Sequence, residues 1–139
     1  MPVQAHASGA SLFSSDSKPI FHKTLRTMSH EKFQSCIDAC LECAAECNHC
    51  ATMCLGEKDV AMMSKCIQLD RECSAACLAA AQLMSIGGDH ATAFCGTCAE
   101  ICDACAEECE KHDVDHCQSC AEACRECAHQ CRTMARVAA

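Results

Sequence analysis

There is no Trp and no Tyr in these 139 residues, and Pro occurs only twice. So few breakers leave room for long unbroken helices. Aliphatic residues are also scarce. Seven Leu, five Ile, four Val and four Phe make twenty of the 139 residues. That lies below the ~20% under which a chain usually cannot bury a core. Basic residues number 11 against 19 acidic ones, a net charge of −8. With no Lys/Arg stripe to offset that charge, nucleic-acid binding is excluded. No apolar run approaches the ~18 residues of a membrane span. Met1–Ser17 shows neither a charged segment leading into an apolar one nor a twin-arginine pair, so a cytoplasmic protein is expected.

What fills the gap is cysteine, with 19 residues. A thiol packs as a small hydrophobe, so it can replace the missing Leu, Ile and Val. The spacing says where the thiols go. Cys95, Cys98, Cys102, Cys105 and Cys109 are separated by three, four, three and four residues. Cys117, Cys120, Cys124, Cys127 and Cys131 repeat the same steps. Such steps average 3.5 residues, the seam of a helix in a bundle. A third stripe runs through Phe33, Cys36, Cys40, Cys43, Cys47, Cys50 and Cys54. A fourth, thinner stripe holds Met63, Cys66, Asp70, Cys73, Cys77, Ala80 and Met84.

Four stripes predict four helices. The first runs from Ser29 as N-cap to Leu55, with Gly56 as C-cap. The second starts near Asp59 and stops before Gly87 and Gly88. Asp89 and Asp113 are the expected caps of the third and fourth, which end near Lys111 and Arg136. Short connections make neighbours antiparallel, so the fold class is all-α, an up-down-up-down four-helix bundle with a Cys-lined core. Residues 29–139 form that bundle. Residues 1–28 are expected to be a tail, with a possible short helix over Pro19–Met28. AAECNHC, AEICDAC and AEACREC share one pattern, so duplication fits.

A secreted disulfide scaffold is opposed by the odd count and by helical spacing. Thiols three or four residues apart on one helix staple nothing distant. A thioredoxin-like pair would need a helix N-terminus beside a βαβ unit, and these pairs fall in mid-helix. No enzymatic function is expected. The thiols are then metal ligands, and thiolates are soft ones that select Cu(I), Zn²⁺ or iron–sulfur clusters. Zinc favours closed tetrahedral sites on short knuckles. Iron–sulfur sites favour irregular segments, and no Cys here is followed by Pro. Cu(I) accepts two or three ligands and can share sulfurs. One monovalent ion per thiolate also cancels buried charge. Multiple Cu(I) ions per chain therefore fit best, ahead of a metallothionein-like buffer for Zn or Cd and of a thiol oxidoreductase.

With its repeated C-x2-C-x3-C seams, the stretch from 29 to about 136 resembles the bacterial four-helix-bundle copper storage proteins, cytosolic branch. The resemblance implies storage and detoxification of many Cu(I) ions, usually in a tetramer of bundles, with a copper chaperone or small-thiol donor as partner. It also implies a His- and Met-lined mouth. Here His112 and His116 lie in one turn, and Met62 and Met63 lie in the other turn at the same end. Those four residues and Asp70 join the 19 Cys as candidate ligands. Asp70 has two readings, a metal ligand on the seam or a carboxylate rotated to the flank. Phe33, Met84, Ala91, Phe94 and Met134 would plug the opposite end.

Overall fold

The computed structural model describes the backbone of residues 20–137 and the side chains of residues 31–137. Helix α1 spans Ile20–Leu55, α2 Ser64–Ile86, α3 Ala91–Cys109 and α4 Asp115–Val137. A single 3-10 turn, Val60–Met63, leads into α2. No strand occurs among the described residues.

The helices form a ring. α1 packs on α2 and α4, and α3 packs on the same two. The diagonal pairs keep their backbones apart, which leaves a central channel for side chains. Contacts at both ends set the directions. Cys36 of α1 meets Cys131 of α4, whereas Cys54 meets Cys117. Cys66 of α2 meets Cys109 of α3, whereas Cys77 meets Cys98. Neighbours are therefore antiparallel, as the short connections require.

The helix ends differ in part from those the sequence predicts. Ser29 lies inside α1 and does not cap it, because the helix already begins at Ile20. The stretch expected as a separate short helix is, from Ile20 on, the first part of α1. Of the tail expected over residues 1–28, residues 1–19 lie outside the described residues. Asp59 does cap, but the 3-10 turn rather than α2 itself: its carboxylate accepts from the Met62 amide at 3.3 Å. Gly87 adopts φ 70°, ψ 30°, which a residue with a side chain resists. Its amide bonds the carbonyls of Leu83 and Met84, and the Gly88 amide reaches back to Leu83, closing α2 with two orphan carbonyls satisfied. Asp89 caps nothing. His90 holds the N-cap position of α3 without a side-chain bond. Asp113 lies two residues before α4, whose first turn hangs on the Val114 carbonyl.

The core is built from sulfur and methyl groups. All 19 thiols are buried, together with Ala80 on the fourth stripe and alanines such as Ala106 and Ala128 beside the stripes. Small side chains let the four helices close on one another around the sulfurs. One end is shut by larger groups. Phe33, Met84 and Ala91 are buried there, with half-buried Phe94 and Met134 packed against the core cluster.

Candidate metal centre

The heptad-like stripes turn every Cys inward, and the sulfurs meet in a continuous column. At the shut end the Cys36 and Cys131 sulfurs are 3.6 Å apart, and Cys131 is 3.7 Å from Cys40. One step on, Cys127 donates to Cys40 at 3.6 Å, and Cys77 lies 3.7 Å from Cys127. Mid-bundle, Cys73 donates to Cys102 and Cys43 to Cys124, at 3.6 and 3.7 Å. Cys120 donates to Cys47 at 3.7 Å. Towards the other end, Cys66 and Cys109 stand 3.6 Å apart, and Cys50 donates to Cys117 at 3.8 Å. Cys95, Cys98 and Cys105 are fully buried in the same column.

These contacts make four-sulfur groups with all ligand atoms within 4.8 Å of one another, among them Cys40–Cys77–Cys98–Cys127 and Cys43–Cys73–Cys77–Cys102. The groups overlap. Cys77 belongs to both of these, and Cys47 and Cys124 each belong to two others. Shared sulfurs are suited to bridging, in which one thiolate holds two ions. They do not divide into separate closed tetrahedra.

Asp70 resolves to the seam. It is completely buried, and its Oδ1 accepts from the thiols of Cys105, Cys120 and Cys109 at 3.3, 3.4 and 3.5 Å. Its Oδ2 accepts from Cys66 at 3.8 Å. Burial, reinforced by the Cys120 sulfur, pushes its carboxyl up to about 10. Burial likewise lifts the Cys54 thiol to about 11 and raises Cys117. In the copper-free core these groups keep their protons.

The end opposite the plug is lined by other donors. His116 points Nδ1 at three sulfurs, those of Cys117, Cys50 and Cys54, at 3.6, 3.7 and 3.8 Å. Cys50, Cys54, His116 and Cys117 form one of the compact ligand groups. Its Nε2 lies 2.9 Å from Glu57 Oε1. His112 is half-buried at the same end, with Nε2 3.2 Å from Glu108 Oε1. The two methionines part company. Met63 is buried in the core, whereas Met62 is 67% exposed. His49 and His129 are exposed beside the stripes, as their off-seam positions predict.

A family profile described as copper storage protein matches residues 29–136. The chain belongs to the copper storage protein family. Three solved structures are similar to it. Copper storage protein 3 of Bacillus subtilis, in its copper-free form, is 48% identical over 74% of this chain and 98% of that one, with a TM-score of 0.69. The Cu(I)-bound copper storage protein BsCsp3 is 50% identical over 74% and 97%, with a TM-score of 0.72. A cytosolic copper storage protein from Streptomyces lividans, loaded with five coppers, is 39% identical over 79% and 97%, with a TM-score of 0.74. The four-helix, thiol-cored architecture expected from the stripes is thus the architecture of the family.

Two residues of the mouth escape a reading of stripes. Glu108 lies four residues before His112, and an i, i+4 acid–imidazole pair on a helix is a signal that could have found it. Glu57 has no such signal, since its partner is 59 residues away.

Proposed function

We propose that this chain stores Cu(I) in the cytoplasm and so protects the cell from it, without catalytic turnover. The carrying observation is the column itself: 19 free, buried thiols whose overlapping four-sulfur groups run from plug to mouth. Loading exchanges each thiol proton for a metal ion: Cu⁺ and R–SH give Cu–SR and H⁺. The charges cancel pairwise, so a core that could not hold 19 bare thiolates can hold the loaded ones. The thiolates of Cys36, Cys40, Cys43, Cys47, Cys50, Cys54, Cys66, Cys73, Cys77, Cys95, Cys98, Cys102, Cys105, Cys109, Cys117, Cys120, Cys124, Cys127 and Cys131 are the storage ligands. Asp70, placed where the other three helices offer sulfur, adds one hard oxygen donor in mid-column. His116 and His112 mark the entrance, with Met63 beneath it. Met62, facing solvent, would meet the ion earliest.

The cytosolic Streptomyces relative supports the cytoplasmic reading. The ion would come from a copper chaperone or a small-thiol complex. Assembly into a tetramer of bundles completes the proposal. A buffer for Zn or Cd would need about two to four thiols per ion, so the count of ions bound separates it from Cu(I) storage. The test is anaerobic Cu(I) titration of the reduced protein with metal analysis of the purified product. Binding should continue to ~19 ions, one per thiol. Saturation at about five to nine ions, or preference for Zn²⁺, would overturn the reading.

A further inference from the structure

An imidazole can ligate a metal through only one nitrogen at a time, and the other nitrogen decides which. A carboxylate oxygen has no hydrogen to donate, so a ring nitrogen beside it must carry the hydrogen of that bond. At the mouth His116 has its two nitrogens in opposite environments. Nε2 is 2.9 Å from Glu57 Oε1. Nδ1 faces Cys117, Cys50 and Cys54. The His116 side chain is 9% exposed, whereas Glu57 is 35% exposed. The contact also joins separate parts of the chain. Glu57 belongs to the turn between α1 and α2, and His116 to the first turn of α4. His112 is held differently, by Glu108 only four residues earlier at the end of α3, which also pairs with Lys111.

We propose that Glu57 is the positioning residue of the copper entrance. It accepts Nε2–H of His116, fixes the ring plane, and leaves the Nδ1 lone pair aimed at the three outermost sulfurs. The entrance is thereby a preformed receiving site, one imidazole nitrogen over three thiols, before any ion arrives. Glu57 itself touches no stored ion. It acts through His116, as carboxylates commonly do behind metal-bound imidazoles. The inference rests on the copper-storage reading for its purpose, but its geometry can be tested without copper.

The experiment compares the wild type, Glu57→Ala and Glu57→Gln, all full-length, reduced and first copper-free. In ¹⁵N-histidine-labelled protein, His116 is assigned from its loss in His116→Ala. A downfield, slowly exchanging Nε2–H proton is expected in the wild type and in Glu57→Gln, whose side-chain oxygen still accepts. It should vanish in Glu57→Ala. Stopped-flow transfer from a chromophoric Cu(I) chelator should then be about tenfold slower in Glu57→Ala alone, the low end of what losing such an outer hydrogen bond does to metal affinity. A Nε2–H signal that survives Glu57→Ala, or transfer at the wild-type rate, would overturn the proposal. Transfer equally slow in Glu57→Gln would overturn it too, because the carboxylate would then be acting by charge. If the wild type takes up no copper while the proton signals behave as expected, the storage reading fails and the positioning role of Glu57 stands.

Discussion

The Cys105 thiol donates to Asp70 Oδ1 across 3.3 Å in the middle of the sulfur column. Cys109 and Cys120 converge on the same oxygen. A carboxyl group in that position has no cation beside it to offset burial, and its proton is held up to about 10. The unfolded chain would release the same proton near 3.8. Between those two values the folded state holds a proton that the unfolded state has lost, so stability falls as pH rises.

Asp70→Asn removes that penalty while keeping an oxygen for the three thiols. The copper-free variant should be more stable than the wild type, by a margin that widens from pH 5 to pH 8. A full pH unit within the window is worth at most about 1.4 kcal/mol, so the widening should reach roughly 2 to 4 kcal/mol. Urea unfolding of both reduced proteins at the two pH values measures it. Both carry the same thiols, so their difference isolates residue 70. An equal margin at both pH values would show that Asp70 is ionised in the fold.

Met84 tests the closed end. Its side chain is completely buried beside Phe33 in the apolar cluster. Met84→Ala should destabilise the copper-free protein by about 2–5 kcal/mol through the cavity left behind. No thiol is lost, so Cu(I) capacity should stay at the wild-type value. A loss below about 1 kcal/mol would mean that this end is not tightly packed.

Most of the fold was legible because cysteine reports its own burial. A Leu on a surface is unremarkable, but sixteen thiols in unbroken three-four steps, with three more on a fourth stripe, admit one arrangement. The stripe positions of all four helices, Asp70 included, are core positions in the structure. The errors lie at helix starts. Ser29 and Asp89 carry good capping side chains, yet Ile20 and His90 mark where α1 and the N-cap of α3 fall. Capping adds only about 1 kcal/mol, which is easily overridden by continuing a helix or by a tight glycine turn. The site divides along the same line. Periodicity assigns every sulfur, but the contact between Glu57 and His116 depends on how two distant turns meet.

Copper-free protein should already be helical. Gly87 closes α2, the thiols pack in one buried cluster with the alanines, and Phe33 and Met84 close one end without metal. Far-UV circular dichroism of reduced, metal-free protein should therefore show a strongly helical spectrum that changes little on Cu(I) addition. A coil spectrum turning helical only with copper would mean that the metal supplies the folding energy.

Loading should release protons. Burial holds Cys54 near 11 and raises Cys117, so at neutral pH an ion taken up by these outer thiols displaces a hydrogen. About one proton should appear per Cu(I) bound at these outer sulfurs, corrected for buffer, when the first steps of loading are followed with a pH indicator. Competition against a chelator should weaken as pH falls, by up to tenfold per unit for each proton displaced. Uptake without proton release would show that the outer thiols are already thiolates.

The two histidines of the mouth should not be equivalent. His116 Nδ1 lies within 3.8 Å of three sulfurs, so an ion passing it can be handed directly to Cys50, Cys54 or Cys117. His112 is tied to Glu108, whose other oxygen is occupied by Lys111. His116→Ala should therefore slow Cu(I) transfer from a chromophoric chelator more than His112→Ala does, with the double variant close to His116→Ala alone. Final capacity should fall by no more than an ion or two in any of them, since all 19 thiols remain. A larger effect from His112→Ala would move the first contact outward, to the α3–α4 turn. Equal wild-type rates for all three variants would mean that copper enters elsewhere along the bundle.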